Sequence, residues 1–236
     1  MKRLAVVTGG TKGLGREISL VFGRAGYDVL ALYASDRAAA DELGTAFAQA
    51  GIRGSAVQHD ITSADTSVWN RPEIEEAEKI VLIHNACAPF SPTPFHQLPW
   101  NEFEQSFNVA VKGGWACYQA LLRPMIKKGG GAIINVLTSA LEGNTPKGFA
   151  AYLTAKHALR GLTLALVAEY GARGVRAFTV SPGYMDTPLT AQWDDRLRES
   201  IRTHSPRVTD PTTAASRLVA LAEDGTLPGL GEDYPL

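Results

Sequence analysis

The sequence predicts an α/β fold: a doubly wound parallel β-sheet flanked by helices on both faces, built as a single domain over residues 1–236. Three observations predict it. Short apolar runs alternate with longer stretches of helical periodicity along the whole chain. The runs are continuously apolar rather than alternating, as strands covered on both faces are. A glycine-rich turn separates the first such run from the first helical stretch.

Taken in order, residues 4–7 read as a buried strand and 14–24 as a helix with Leu14, Ile18, Val21 and Phe22 on one stripe. Residues 29–33 form a second strand, 37–50 an alanine-rich helix and 55–58 a third strand. The stretch 63–71 is cut short by Pro72, which predicts a loop and a stunted helix before the fourth strand at 80–84. Proline-rich 88–99 is a loop, 101–126 a long helix and 133–137 a fifth strand. A helix over 150–170 leads to a sixth strand at 175–180. Residues 187–207, helix-like between two prolines, make a candidate lid, and 211–223 a final helix. Crossovers are expected to be right-handed.

Composition excludes several classes. A chain of 236 residues buries roughly 70% of its surface, enough for one sizeable core. With 45% hydrophobic and 20% charged residues it is neither disordered, collagenous nor a small disulfide scaffold. The 23 Lys and Arg nearly cancel the 24 Asp and Glu, so no nucleic-acid partner is expected. Cys87 and Cys117 read as free thiols of a cytoplasmic protein. The N-terminal apolar run is too short for a signal peptide, and no 18-residue apolar run exists, so no membrane partner is expected.

The 23 glycines are about 10% of the chain, against an ordinary ~7%. Thr8-Gly9-Gly10-Thr11-Lys12-Gly13-Leu14-Gly15 follows the first strand and opens the first helix. A dinucleotide pyrophosphate meets helix N–H groups in such a place, and glycines let the backbone come close. The pattern T-G-x-x-x-G-x-G arises by chance only about 0.02 times in a chain of this composition. Tyr152 and Lys156 form Y-x-x-x-K on one helix face. That pair alone is weak, expected about 0.2 times by chance, and is otherwise a solvated helix face. Ser139, 13 residues earlier and just past the fifth strand, lies at the carboxyl end of the sheet, where open α/β sheets bind ligands.

Together these motifs resemble the short-chain dehydrogenase/reductase family over roughly residues 3–224. The matching residues are Thr8 to Gly15, Asp60-Ile61, Asn85-Ala86, Asn108, Ser139, Tyr152, Lys156, Pro182-Gly183 and Thr187. The resemblance implies a Rossmann-type fold, with Tyr152 as general acid in carbonyl reduction and general base in alcohol oxidation. It implies that Ser139 bonds the substrate oxygen, that Lys156 holds the nicotinamide ribose and lowers the tyrosine pKa, and that Asn108 supports a proton-relay water. It places Asp60 and Ile61 near the adenine, Asn85 and Ala86 along the nucleotide cleft, and Pro182, Gly183 and Thr187 beside the nicotinamide. The electrostatics agree: an ammonium ~5 Å from the phenol, at effective dielectric ~20, contributes roughly 3 kcal/mol, about 2 pKa units. That brings Tyr152 from about 10 toward neutrality.

The sequence departs from the family at His84-Asn85-Ala86-Cys87, where N-N-A-G is usual, and at a C-terminus lacking V-D-G-G. A metal pair from His84 and Cys87 is the minor alternative there; no metal site is expected. At the end of the second strand, Tyr33, Ala34 and Ser35 replace the acidic residue usual in NAD-preferring members, and Lys12 stands ready for a 2′-phosphate. NADP(H) is therefore the preferred cofactor and NAD(H) remains possible, Asp36 being the contrary feature. Cys87, Leu141, Phe149 and Tyr184 are expected to line the substrate pocket, with apolar surface from Phe90, Phe95 and Trp193. Arg196, Arg198, Arg202 and Arg207 would steer an acidic carrier or form a solvated face.

The expected function is thus NADPH-dependent reduction of a ketone or 3-ketoacyl carbonyl, small-molecule or carrier-bound, as in 3-ketoacyl carrier-protein reductases and ketoreductases. An NAD-dependent secondary-alcohol dehydrogenase is the first alternative and a non-catalytic dinucleotide-binding regulator the second. The long apolar helices imply a homotetramer, with a homodimer next.

Overall fold

The computed structural model describes residues 1–142, 145–224 and 230–236. Seven strands form one parallel sheet: β1 (Arg3–Thr8), β2 (Asp28–Tyr33), β3 (Gly54–Gln58), β4 (Lys79–His84), β5 (Gly131–Val136), β6 (Val175–Ser181) and β7 (Leu230–Pro235). Their spatial order is β3-β2-β1-β4-β5-β6-β7. The chain runs outward to β3 and then returns to lay β4 beside β1, in the register Thr8 to His84. This reversal makes a topological switch point, and the carboxyl ends of β1 and β4 open the crevice there.

Side-chain alternation explains why both faces are covered. Ala5, Val7, Ala31, Ile83, Ile134 and Val180 face one way, onto α1 (Gly13–Arg24), α2 (Arg37–Gln49) and α8 (Pro211–Glu223). Leu4, Val6, Leu32, Leu82, Ile133 and Ala177 face the other, onto α5 (Gly113–Lys127) and α6 (Ala150–Tyr170). Each fully buried Val, Leu or Ile contributes roughly 1.5–3 kcal/mol, so continuous apolar strands favour a sheet covered twice. One polar network crosses the second layer. The Tyr118 hydroxyl donates to Asn135 Oδ1 at 2.6 Å, Asn135 Nδ2 donates to Thr163 Oγ1 at 2.8 Å, and that hydroxyl donates to Leu159 O at 3.0 Å. Asn135, with no exposed surface, is thereby fully engaged.

The structure corrects the sequence reading in two places. The stretch read as one helix over 101–126 is α4 (Trp100–Phe107), a π turn at Asn108–Lys112, and α5. The crossover before β4 contains a 3₁₀ turn at Ser67–Asn70 and the five-residue α3 (Pro72–Glu76), the stunted helix expected from Pro72. β7 was not anticipated: LGEDYP is polar, and it is tied to β6 by side chains, Thr179 Oγ1 donating to Asp233 Oδ1 at 2.9 Å and Ser181 Oγ to Oδ2 at 2.7 Å. Within 187–207 lies α7 (Asp195–His204), capped by Asp194, which accepts from the Leu197 N–H at 2.9 Å. Among the described residues no helix is long and apolar enough to cross a membrane.

Candidate active site

The glycine turn is fixed by one hydroxyl. Thr8 Oγ1 accepts the N–H of Asn85 at 3.1 Å and of Ala86 at 3.0 Å, and lies 3.0 Å from His84 Nδ1. Accepting twice, the hydroxyl spends its own proton on Nδ1. His84 therefore carries its proton on Nε2 and donates it to Ala110 O, 2.9 Å away in the π turn. Burial pushes the fully enclosed imidazole down to about 4. Both ring nitrogens are engaged within the protein, and the Cys87 thiol donates to Ala88 O at 3.3 Å. Glycine at 114 makes room: a Cβ there would lie 3.1 Å from the imidazole.

Asn85 Nδ2 donates to the carbonyls of Thr8 and Gly9, both at 3.2 Å. Gly9, at φ +62°, bends the turn so tightly that a Cβ on Gly15 would stand 2.0 Å from the Gly9 carbonyl oxygen. The helix α1 begins after Lys12 with no side-chain cap, so its first N–H groups face the crevice. Thr187 closes the turn from outside, its Cβ 3.3 Å from where a Gly13 Cβ would be. Gly183 donates its N–H to Thr209 Oγ1 at 2.9 Å, and a Cβ on it would stand 2.2 Å from Arg207 O.

At the ribose end, Lys12 Nζ pairs with Asp36 Oδ2 at 2.9 Å, and Asp36 Oδ1 accepts the Ala39 N–H at 3.0 Å as the cap of α2. The lysine beside it and this cap hold the Asp36 carboxyl below its ordinary range. Tyr33 is buried, while Ala34 and Ser35 are exposed. Asp60 Oδ1 accepts from the N–H and hydroxyl of Thr62 at 2.9 and 2.8 Å, which lower its pKa. Ile61 is buried against α5, and Leu14 is buried in the first layer.

Tyr152, Lys156 and Cys87 converge around a narrow cleft. Lys156 is 3% exposed and donates from Nζ to Val136 O at 2.6 Å, with Nζ 5.7 Å from the Tyr152 ring centre. The phenol is pushed up from 10, first by burial and then by the neighbouring Cys87 thiol, against a hydrogen bond with Thr138 that lowers it. Burial likewise lowers the Lys156 pKa and raises that of Cys87. The sequence expectation of a phenol drawn toward neutrality is therefore not met in this state. The ammonium is committed to a main-chain carbonyl, and desolvation governs the tyrosine. Ser139 is 2% exposed and donates its N–H to Pro182 O at 2.8 Å, joining the ends of β5 and β6. Asn108 begins the π turn, with the Gly113 N–H donating to its carbonyl.

Sequence reasoning missed Thr138; it named Phe90, Phe149 and Trp193 as apolar pocket surface but not their packing together over Tyr152. Thr138 Oγ1 accepts the Ala140 N–H at 3.2 Å and caps the turn carrying Ser139; its signal was a second hydroxyl directly before Ser139. Phe90 stacks on Tyr152 with ring centres 4.6 Å apart and planes at 11°, and Phe149 and Trp193 meet it edge-on at 5.1 and 5.3 Å. The Phe90 carbonyl accepts from Trp193 Nε1 at 2.9 Å and Gln192 Nε2 at 3.0 Å, clasping the loop after β4 to the segment after β6. Beside this wall opens a cavity of about 230 Å³, lined by Phe90, Leu98, Gln105, Ser106, Ala151 and Tyr152 among others. Cys87 lies on the neighbouring cleft, Phe149 and Leu141 pack behind the wall, and Tyr184 donates its hydroxyl to Asp186 at 2.7 Å. Phe95 is largely exposed. Of the four arginines, Arg198 is paired with Asp195 and Arg207 with Glu142, leaving Arg196 and Arg202 at the surface. Among the described residues no three His, Cys, Asp or Glu side chains group as metal ligands.

The short chain dehydrogenase family model matches residues 3–198. An acetoacetyl-CoA reductase of Allochromatium vinosum is 31% identical over 241 aligned residues, covering 100% of this chain and 97% of the relative. A 3-oxoacyl-[acyl-carrier-protein] reductase of Staphylococcus aureus is 26% identical, covering 95% of this chain and 92% of its own. A solved structure from Beutenbergia cavernae, assigned as an NAD(P)-dependent gluconate 5-dehydrogenase with NADP bound at low occupancy, superposes with a TM-score of 0.85. It is 29% identical and covers 99% of this chain and 94% of that one.

Proposed function

The chain belongs to the short-chain dehydrogenase family of NAD(P)-dependent oxidoreductases, and from that premise we propose that it reduces a ketone or 3-ketoacyl carbonyl to a secondary alcohol with NADPH, Tyr152 serving as general acid. The observation that carries this reading is that Tyr152 and buried Lys156 share one cleft with Cys87, which follows β4, and that Lys156 is held to Val136 O at the carboxyl end of β5. Two relatives are by name reductases of 3-oxoacyl thioesters.

The residues fit a dinucleotide. The bare backbone of Gly9, Gly13 and Gly15 and the uncapped start of α1 suit a pyrophosphate, with Thr8 and Leu14 in support. Lys12, Tyr33, Ala34 and Ser35 stand at the adenosine ribose, Asp60 and Ile61 at the adenine, Asn85 and Ala86 along the cleft, and Lys156, Pro182, Gly183 and Thr187 at the nicotinamide end. The bound dinucleotide supplies the hydride. Tyr152 gives its hydroxyl proton to the carbonyl oxygen as charge builds there, and Ser139 donates to the same oxygen. At neutral pH the phenol is protonated, the form that carbonyl reduction needs. Lys156, one helical turn along, stabilises the phenolate left behind. Asn108, held by the π turn, serves the relay that restores the proton.

The second reading, NAD-dependent oxidation of a secondary alcohol, is favoured by the Lys12–Asp36 pair, which neutralises the cation a 2′-phosphate would use. A purely regulatory binder has no use for the complete Ser139, Tyr152 and Lys156 set. The same reading takes residues 1–236 as one cytoplasmic catalytic domain with 187–207 as its lid. It assembles as a homotetramer, or else a homodimer, through its long helices, on which Trp100, Trp115 and Leu164 stand exposed; ultracentrifugation tests this.

The deciding experiment is a panel of ketones and carrier-bound 3-ketoacyl groups with NADPH and NADH, followed at the nicotinamide absorbance. Tyr152→Phe is expected to lower turnover by at least 10²-fold while sparing NADPH binding. Undiminished turnover in that variant refutes the mechanism.

A further inference from the structure

Resting on the carbonyl-reduction reading, we infer that the group the substrate presents beyond its carbonyl is uncharged, apolar and compact, and that Phe90 is the residue that selects it. Three features of the cavity beside Tyr152 converge on this. Its volume of about 230 Å³ is small against the ~300–1,000 Å³ of drug-sized sites. Its wall is apolar along Pro89, Phe90, Leu98 and Ala151, and its remaining side chains are neutral except for one. That one is Glu102, on the first turn of α4; among the described residues no Lys, Arg or His lines the cavity.

The charge balance decides the substrate class. A carboxylate or phosphate carried into this space would leave water, find no cation, and meet the Glu102 carboxylate. An apolar ring needs no counter-charge, and Phe90 offers it aromatic surface braced by Phe149 and Trp193, beside the neutral polar side chains of Ser91, Gln105, Ser106 and Gln192. The brace makes Phe90 a fixed wall rather than a mobile plug. Its carbonyl is held by two donors and its ring by the 4.6 Å stack on Tyr152. Phe90 therefore sets how far the substrate's apolar group reaches when its carbonyl lies at the Tyr152 hydroxyl. Free keto acids are excluded, whereas a thioester whose charges stay outside the cavity is not.

The test compares methyl 4-oxocyclohexanecarboxylate, the smallest ester, with the 4-oxocyclohexanecarboxylate anion, the same ring and carbonyl differing in charge and by one methyl group. The wild-type protein is expected to show kcat/KM for the ester at least ten-fold above that for the anion. Phe90→Ala should lower kcat/KM for the ester about ten-fold, mainly through KM, while Phe90→Leu restores most of it. Glu102→Lys, an exposed change, should raise kcat/KM for the anion about five-fold or more and leave the ester nearly unchanged. An anion used as well as the ester, or an unaltered ester KM in Phe90→Ala, overturns the inference. Titration calorimetry of both compounds against Tyr152→Phe reads binding without turnover. If the wild-type protein reduces neither compound with NADPH or NADH, the carbonyl-reduction reading fails for them. Calorimetry then still decides the selectivity: ester bound in preference to anion upholds it, and equal or absent binding overturns it.

Discussion

Lowering the pH from 7 to 5 should destabilise this protein through His84 in particular. Unfolded, an imidazole titrates near 6.5; in the fold His84 sits at about 4, because burial opposes its charge and both nitrogens are committed. The unfolded chain thus binds a proton between those values and the folded chain does not, so stability rises with pH across the window. The contribution is fully present above about pH 6.5 and is lost as pH falls toward 4. Linkage over the step from pH 7 to 5 gives a loss of about 2 kcal/mol from this residue. Urea unfolding at the two pH values measures it, in the wild-type protein and in His84→Gln, whose amide can still donate to Ala110 O. His59, also depressed by burial, and the lowered Asp36, Asp60 and Asp210 contribute to both proteins and cancel in the difference. The variant should lose about 2 kcal/mol less than the wild type. Equal losses would show that His84 is charged in the fold or titrates normally, and the assignment of its tautomer would fall.

Three further outcomes follow from contacts described above. Gly15→Ala places a methyl 2.0 Å from the Gly9 carbonyl and should cost several kcal/mol and weaken dinucleotide binding at least ten-fold, whereas Gly44→Ala, with nothing within 4 Å, should be neutral or slightly stabilising; thermal melts with and without NADP measure both. Tyr118→Phe leaves Asn135 Oδ1 unpaired in the core and should cost about 1–3 kcal/mol, seen as a melting point lower by several degrees. Lys12→Ala should weaken NADPH binding far more than NADH binding, and Asp36→Asn should improve NADPH binding relative to NADH by freeing the lysine, both read by cofactor fluorescence titration.

What the sequence revealed follows from how each feature is encoded. β1, β2 and β4 were legible because both of their faces are buried, so their central residues form unbroken apolar runs. The glycine turn was legible because a side chain at 15 would collide with the Gly9 carbonyl and Gly9 adopts a backbone conformation that strains other residues. β7 was not, because its partners are hydroxyls on Thr179 and Ser181 that reach Asp233 across more than fifty residues. The π turn escaped notice because Asn108 to Lys112 keeps a helical apolar pattern; the insertion is stabilised by His84, a strand residue, donating to Ala110 O. The tyrosine electrostatics turned on a distance no spacing encodes, since Y-x-x-x-K fixes a shared helix face but not that Lys156 would reach Val136 O instead. Phe90 was legible as apolar pocket surface, but its stack on Tyr152 was not, because it lies in a proline-rich loop tied down by Gln192 and Trp193.

The Phe90 clasp separates two things that enzymes often entangle. Gln192 and Trp193 grip the main-chain carbonyl, which any amino acid at position 90 would present. The main-chain grip is therefore independent of the side chain, while the ring adds its own contact to Trp193 and its own part of the wall beside Pro89, Leu98 and Ala151. A lineage can change residue 90 and try new substrates without first unlearning how to shut. For directed evolution, a change at position 90 keeps the main-chain clasp but gives up a ring packed on Tyr152, Phe149 and Trp193, so large apolar replacements are the ones the architecture accepts most readily.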